Sequence, residues 1–189
     1  MNSNIPKSMI LIGEKPLLYY NVKSVIQTGI KSIIIVIDDL KYEAIIIQHL
    51  DLFSNIKIVY TERKTSTFIV LKHCLDICNE WILFLYGHAP RPTHYLNTII
   101  SSEKLVVASS NQNSTKRNKI LLELKYLEPP YLLRKDTIKY IYNNWQDFFD
   151  GNADCTEILK LDGPPEFNYT DEYLEYNRYV YNNLLDIQK

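Results

Sequence analysis

The chain has 189 residues, which is long enough for one domain with a sizeable hydrophobic core and too short for two ordinary domains by default. Its 21 Lys and Arg residues nearly balance its 22 Asp and Glu residues, so a net charge of −1 provides no overall field to attract nucleic acid or an anionic membrane. We therefore expect a single domain over residues 1–189, with no nucleic-acid and no membrane partner.

Cysteine usage and hydropathy favour a cytoplasmic setting. No apolar run in the sequence approaches the roughly 20 residues that a membrane-spanning helix needs, and no secretory signal precedes the three cysteines. An odd number of cysteines without such a signal is typical of a reducing compartment. The predicted location is therefore the cytoplasm.

The first 108 residues alternate between helix and strand patterns. Pro16 suits the first turn of a helix, apolar residues recur after it at helical spacing, and Gly29 is placed to end that helix. Further helices are predicted at Lys41 to Leu50, Thr67 to Cys78 (capped by Thr65 or Ser66) and Thr93 to Ile100. Strands are predicted at Ser32 to Asp38, Ile56 to Tyr60, Trp81 to Tyr86 and Lys104 to Ala108. The alternation predicts an α/β fold, with a mainly parallel, three-layer, Rossmann-like sheet.

The pattern changes from residue 109 onward. Ser109 to Asn118 is polar and predicts a surface loop. Extended segments are predicted at Ile120 to Tyr126, Tyr131 to Arg134 and Thr156 to Leu161. Helices are predicted at Lys135 to Trp145 and at Thr170 to about Leu185. The tyrosines of the last helix either dock it on the sheet or form a face for a partner.

The run Trp81 to Tyr86 is continuously apolar and is followed by Gly87. Such a run predicts a parallel strand that is buried on both faces. The loop after it, Gly87 to Arg91, would lie at the carboxyl end of the strand, where open α/β sheets bind their ligands. We therefore expect binding residues in this loop.

Four segments resemble one enzyme superfamily. The first reads M-x-S-x-x-P-K-x(4)-I-G-x-K-P-L-L from Met1 to Leu18, and it is similar to the nucleotidyltransferases that join an NTP to a sugar phosphate or related phospho-acceptor. Leu85-Tyr86-Gly87 resembles a segment of N-acetylglucosamine-1-phosphate uridylyltransferases, and Ala89 to Pro92 resembles one of methylerythritol-phosphate cytidylyltransferases. Phe167 to Leu174 is similar to the closing motif of the superfamily.

The resemblance implies a GT-A-like nucleotidyltransferase domain. Residues 1–108 would form its nucleotide-binding half, and 109–189 its acceptor-side half with a C-terminal helix. Its implied partners are an NTP and a phosphorylated small-molecule acceptor, and its implied cofactor is Mg²⁺. The acceptor phosphate would attack the α-phosphorus in line, while the protein positions the groups and neutralises charge.

The resemblance also assigns site residues. Lys7 matches the catalytic lysine that meets phosphate, while Lys15 is either a second such cation or a solvated loop residue. Asn168 matches an amide that helps to hold the metal, or it is an ordinary asparagine before a helix. The remaining nucleotide-binding positions are Thr65, Ser66, Thr67 and Gly87.

Two departures from the superfamily pattern are evident. The resemblance places a first strand and the glycine-rich loop L-A-x-G-x-G-T-R before Met1, so the first strand is missing from the predicted sheet. Either the gene start is assigned too late, the sequence is cut, or the protein never had the loop. His88 stands where the resemblance requires the metal-binding aspartate, and imidazole is a poor ligand for the hard cation Mg²⁺. His88 is then a polar loop residue, an anion contact, or a ligand for a softer metal with His94.

The loop expected to meet the nucleobase also differs. The superfamily has Q-x-x-G-T-G-H-A there, and this chain has Glu62 to Ile69 without the glycines that let a base approach the backbone. Phe68 is expected to intrude or to stack. Two functions therefore remain open: nucleotidyl transfer, and a degenerate relative that binds a nucleotide weakly or serves a protein partner, with a homo-oligomer as a further option.

Overall fold

The computed structural model describes residues 5–53, 55–62, 65–110, 127–138 and 142–161. Its α-helices are α1 (Leu17–Gln27), α2 (Glu43–Leu50), α3 (Thr67–Cys74), α4 (Thr93–Ile100) and α5 (Trp145–Gly151). Its strands are β1 (Leu11–Ile12), β2 (Lys15–Pro16), β3 (Ile33–Ile37), β4 (Ile56–Tyr60), β5 (Trp81–Phe84), β6 (Val106–Ser110), β7 (Leu127–Arg134) and β8 (Thr156–Lys160). None of the helices described is long and apolar enough to span a membrane.

Helix α1 has the boundaries that its sequence predicts. Pro16 is the N-cap residue with an extended backbone. After Gln27 the chain turns at Gly29, whose φ of +90° is a conformation that glycine adopts without the steric cost of a Cβ. Leu17, Leu18 and Val22 are among the residues that α1 buries.

The described strands form three sheets. β1 and β2 form a short antiparallel hairpin, β3 and β4 form a parallel pair, and the third sheet has the order β5-β7-β6-β8. β7 is antiparallel to both β5 and β6, and β6 is parallel to β8. Three strands of the four-stranded sheet therefore run in one direction, and the predicted α/β fold class is confirmed.

The apolar strand β5 differs from its expected setting. It lies at the edge of the four-stranded sheet as described, its ladder with β7 is antiparallel, and Ile82, Leu83 and Phe84 are half-buried. The prediction of a parallel strand buried on both faces was therefore wrong for β5. The reason is that only one edge of β5 is paired among the described strands.

The predicted helix at Lys135 to Trp145 was also wrong. Lys135–Thr137 forms a single 3₁₀ turn, and α5 begins at Trp145, where the predicted helix was to end. The side chain of Asn144 accepts a hydrogen bond from the backbone N–H of Asp147 at 2.9 Å, which caps α5. This capping asparagine marks the true start of the helix.

Strand β7 extends further than predicted, from Leu127 rather than from Tyr131. It contains Pro129 and Pro130, which lack a backbone N–H and argue against an interior strand. Its register with β6 is irregular between Val107 and Ser109, which accommodates them. Tyr131 then pairs with Phe84, so regular pairing with β5 begins after the prolines.

Two large cores lie on different sheets. The first joins α1 to β3 and to α2 through aliphatic residues that include Leu18, Ile35 and Ile46. The second covers the four-stranded sheet with α5 and α3, and its buried residues include Phe68, Tyr131, Phe148 and Phe149. A smaller cluster around Tyr95 and Ile99 packs α4 against the opposite face of that sheet.

Several predicted segments lie outside the described residues. They are residues 1–4, 111–118 of the predicted loop, the strand predicted at Ile120 to Tyr126, Asn168 with the closing motif, and the last helix at Thr170 to Leu185.

Candidate functional site at the carboxyl end of β5

The turn that carries Lys7 lies against the loop that follows β5. Lys7–Met9 forms a 3₁₀ turn closed by the bond from Met9 N to Pro6 O at 2.8 Å. A Cβ built on Gly87 would lie 3.3 Å from Ser8 Cβ and 3.4 Å from Leu18 Cδ1. A side chain at residue 87 would require Ser8 to shift by a few tenths of an ångström, so glycine favours this close packing of the Lys7 turn on the loop after β5.

Helix α1 fixes the other side of this loop. Asn21 lies one turn after Leu18, is 4% exposed, and donates from Nδ2 to the backbone carbonyl of Tyr86 at 2.9 Å. In the loop itself, Ala89 N donates to the same Tyr86 carbonyl at 3.0 Å and closes the turn over residues 86–89. The path of residues 86–89 is therefore set by α1 as well as by β5.

His88 is half-buried in this loop. Its ring is stacked on that of Tyr86, with centroids 5.6 Å apart and an angle of 9° between the planes. Lys7 is exposed. The fold therefore brings three of the predicted site positions, Lys7, Gly87 and His88, to one end of β5.

Thr65 and Ser66 lie between strand β4 and α3, and Thr67 is the first residue of α3. The hydroxyl of Thr65 donates to Glu62 O at 2.6 Å, and Ser66 is the N-cap residue but makes no side-chain capping bond. Ser66, one of the two predicted capping residues, is therefore at the N-cap position, but its side chain makes no capping bond. The atoms nearest to the Cβ position of Gly87 belong to Ser8 and Leu18. Thr65, Ser66 and Thr67 are therefore not the nearest neighbours of Gly87.

Phe68 does not extend toward a nucleobase. It is 1% exposed, and its ring packs against those of Tyr142, Trp145 and Phe148, with the nearest centroid, that of Trp145, at 4.8 Å. The expectation that Phe68 intrudes or stacks on a base was wrong, because the aromatic core holds its side chain.

Lys15 has a local role in the structure. Its ammonium lies 5.1 Å from the centroid of the Tyr19 ring, a cation–π contact within the hairpin and the first turn of α1. This contact accounts for Lys15 without a ligand. Lys7 is exposed on the turn that packs against Gly87.

Comparison with known proteins gives no match to a family model and none to a curated protein. Solved structures do match. A 4-diphosphocytidyl-2C-methyl-D-erythritol synthase from Anaerococcus prevotii has a TM-score of 0.71 at 16% identity and covers 95% of this chain and 92% of its own. A protein from Bacillus anthracis assigned as a glucose-1-phosphate thymidylyltransferase, solved with sucrose, has a TM-score of 0.75 at 12% identity, covering 92% and 86%. HddC from Yersinia pseudotuberculosis, solved with GMP-PN, has a TM-score of 0.72 at 14% identity, covering 95% and 92%.

The chain has the nucleotidyltransferase fold. These identities are low, so the likeness concerns the fold alone. It agrees with the resemblance carried by the N-terminal motif from Met1 to Leu18.

The nucleotidyltransferase fold implies a divalent metal, and the described residues do not fit one. No group of three His, Cys, Asp or Glu side chains in the described ranges is arranged to hold a metal ion. At the position that the resemblance gives to an aspartate, His88 offers nitrogen where Mg²⁺ prefers oxygen. Asn168 lies outside the described residues.

Arg91 has a structural position in this nucleotidyltransferase fold. The sequence places it in the loop expected to meet a ligand, yet it is 1% exposed. Its Nη2 donates to Pro129 O at 3.5 Å, and its guanidinium carbon lies 5.9 Å from the centroid of the Tyr95 ring. Arg91 thus ties the loop after β5 to β7 and α4 and does not face solvent.

Proposed function

We propose that this protein is a degenerate nucleotidyltransferase that binds the phosphate groups of an NTP at the carboxyl end of β5. Lys7 neutralises phosphate charge, and Gly87, against which the Lys7 turn packs, contributes backbone groups of the loop after β5. In this proposal residues 1–108 supply the nucleotide side of a single domain, and residues 109–189 supply the acceptor side.

The approach of the Lys7 turn to Gly87 carries the proposal. Ser8 Cβ lies 3.3 Å from the Cβ position of Gly87, so the turn that carries the exposed Lys7 packs against the loop after β5. An exposed lysine at the carboxyl end of a strand suits an anionic ligand. Thr65, Ser66 and Thr67 are proposed as a second contact, for the nucleoside part of the ligand.

In this proposal the chain binds a nucleotide but lacks the metal site that nucleotidyl transfer needs. Transfer of a nucleotidyl group needs a cation that bridges phosphate oxygens and neutralises the developing charge. His88 does not replace a carboxylate in that role. We therefore expect binding of a nucleotide without efficient transfer.

The second candidate function is active nucleotidyl transfer to a phosphorylated acceptor such as a sugar 1-phosphate, with Mg²⁺. It is favoured by the fold and by the order and spacing of the residues in the N-terminal motif. Asn168 would then contribute to the metal site, with a further oxygen ligand in place of His88.

The deciding experiment is a thermal-shift series with each NTP, with and without Mg²⁺ or Mn²⁺. We expect stabilisation by at least one NTP without added metal, and its loss in Lys7→Ala. Lys31→Ala, which removes an exposed lysine beyond the opposite end of α1, is the matched control and should bind normally. If no NTP stabilises the chain, or if both variants bind equally, the proposed site is wrong.

Pyrophosphate release separates the two candidate functions. A panel of sugar 1-phosphates is incubated with each NTP and Mg²⁺, and we expect no enzyme-dependent release. Sustained release that Lys7→Ala abolishes would establish the second function instead of the first.

His88→Asp tests the proposed cause of the degeneration. A carboxylate at this position should strengthen metal-dependent nucleotide binding, because it restores an oxygen ligand. His73→Asp, at an exposed position on α3, is the control. Unchanged affinity in His88→Asp would mean that the defect lies elsewhere.

We also propose a cytoplasmic location. Cys74, Cys78 and Cys155 are free thiols. Burial is the main cause that raises the pKa of the Cys74 and Cys78 thiols, so both are poor nucleophiles. Unpaired thiols of this kind support a reducing compartment.

A further inference from the structure

Helix α2 is apolar on almost every side. It contains four consecutive apolar residues, Ala44 to Ile47. Successive residues of an α-helix are about 100° apart around its axis, so these four span about 300° of its circumference. The apolar stripe of an ordinary surface helix is much narrower, and a helix that is apolar all round is normally buried on all sides. The sequence of α2 therefore predicts cover on two opposite faces.

The described chain covers one of these faces. Ile46 and Leu50 are buried and belong to the core that α2 shares with α1 and β3. Ten large hydrophobic side chains are exposed in the described residues, and four of them lie on the outer side of α2 or beside its ends. Such a concentration marks an interaction surface, whereas scattered exposed residues do not. We call these four residues the α2 face: Leu40 (57% exposed), Ile45 (43%), Ile47 (53%) and Leu52 (73%).

The helical backbone arranges this surface as two neighbouring rows. The 3₁₀ turn Leu40–Tyr42 leads directly into α2, and Asp51 after it keeps a right-handed helical backbone. Residues three, four or seven positions apart lie on the same side of a helix. The two rows consist of exposed residues, namely Leu40, Ile47 and Asp51 in one, and Lys41, Ile45 and Leu52 in the other.

The two rows are complementary when they run in opposite directions. If a second copy of the helix lies antiparallel, with a two-fold axis at the level of Ile46, each row of one copy faces the other row of its mate. Leu40 then faces Leu52 of the second copy, and Ile47 faces Ile45 of the second copy. Because the axis relates the two copies, each of these apolar contacts occurs twice.

The charged residues fit the same register. Asp51 faces Lys41 of the second copy at both ends of the helix pair, and Glu43 is matched with His49. Lys41 also contacts Asp39 of its own chain at 2.6 Å, and an ammonium group has three donors, so it can bond to both carboxylates. A parallel arrangement in register would instead place each Lys41 beside the other, which is unfavourable.

We propose that α2 pairs antiparallel with α2 of a second copy of this chain, through the α2 face. A partner of different sequence would need the same spacing of apolar and charged residues, which this chain itself supplies. An anionic membrane fits less well, because Glu43 and Asp51 would meet its headgroups together with Lys41. The apolar patch covers roughly a few hundred Å² on each copy, below the ~800 Å² per partner of a standard stable interface. The dimer is therefore weak.

Sedimentation velocity of the full chain from about 5 to 500 µM tests for the dimer. We expect the sedimentation coefficient to rise with concentration toward that of a dimer. Ile47→Asp should weaken dimerisation by about tenfold or more, because its carboxylate would be buried against an apolar side chain. Ile77→Asp, at an exposed position after α3, is the matched control.

Circular dichroism shows whether each variant is folded. Because Ile47 is already exposed in the single chain, its replacement should leave the fold intact. If Ile47→Asp does not fold, Leu52→Asp tests the same surface at its most exposed residue.

Lys41→Glu and Asp51→Lys test the antiparallel register. Each variant alone brings like charges together at both ends of the helix pair, and should weaken its dimer about tenfold at low ionic strength. An equimolar mixture of the two variants should dimerise like the natural chain. In the mixed dimer every replaced side chain faces an opposite charge, which happens only if residues 41 and 51 of different copies are neighbours.

Three results would overturn the proposal. They are a chain that remains monomeric over the whole concentration range, a dimer that Ile77→Asp weakens as much as Ile47→Asp, and a mixture of the two charge variants that dimerises no better than either alone. The first would assign the α2 face to another protein or to residues of this chain outside the described ranges. None of these results depends on nucleotide binding.

Discussion

The parallel β3–β4 pair and the four-stranded sheet are stabilised in different ways. The four-stranded sheet is covered by aromatic side chains that are at most 1% exposed, among them Phe68, Tyr131 and Phe148. In the β3–β4 pair, Val36 and Tyr60 remain exposed, and cover comes from α1 and α2 on one face. The four-stranded sheet thus has a fully buried aromatic core within the described chain, whereas the β3–β4 pair is covered by α1 and α2 and keeps exposed side chains.

The largest expected difference between the two regions concerns their cores. Phe148→Ala should lower the free energy of unfolding by about 3–5 kcal/mol, because the ring is fully buried among Phe68, Tyr142 and Trp145. Ile35→Ala in β3 should cost about 2 kcal/mol. Urea unfolding of both variants measures these values, and an equal or greater cost for Ile35→Ala would break the comparison.

A smaller effect is expected at the start of α5, the helix that carries Phe148 in the aromatic core. Asn144→Ala removes the bond that caps α5 and should cost about 1 kcal/mol. Ser66→Ala is its counterpart at α3, where the N-cap side chain makes no capping bond, and it should change the unfolding free energy by less than about 0.5 kcal/mol. Thermal unfolding distinguishes the two, and similar losses would show that Ser66 also caps.

The smallest effect depends on pH and belongs to the aliphatic region. Tyr20 is buried and donates to Ile12 O at 2.7 Å, so Tyr20→Phe should cost about 1 kcal/mol at neutral pH. Burial, with a smaller contribution from Tyr19, raises the pKa of the Tyr20 hydroxyl above its ordinary value. The unfolded chain therefore releases this proton first as the pH rises, which lowers stability above about pH 10.

Tyr20→Phe has no such proton to release, so its difference from the natural protein should narrow above about pH 10. Urea unfolding from pH 7 to 11 measures this difference. Tyr60→Phe, at an exposed tyrosine, controls for the general effect of alkaline pH. A difference that widens with pH would contradict the role given to Tyr20.

Local sequence signals predicted the first half of the fold well. Pro16 and Gly29 delimit α1, and β4 and α4 have the predicted boundaries, because turn residues and hydrophobic spacing act over a few positions. The setting of β5 could not be predicted in this way. The composition of a strand indicates that it can be buried, but which edges are paired depends on strands distant in sequence.

The candidate site was only partly predictable for the same reason. The motif around Lys7 and the glycine after β5 are evident in the sequence, and the fold brings them together. The burial of Phe68 depends on α5, a helix about 80 residues later in the chain, which begins where the predicted helix was to end. The burial of Arg91 similarly depends on Pro129 in β7. The two prolines of β7 argue against a strand there, so the sequence did not predict this part of it.

The position of α1 has a consequence for how the molecule opens. Its residues pack on β3 and also hold the chain after β5, and Thr93 at the start of α4 bonds to Gln27 near its end at 2.9 Å. Neither sheet can separate from the other without breaking contacts of this helix. The amide hydrogens of α1 should therefore exchange with solvent only when the whole domain unfolds, as in a single cooperative unit.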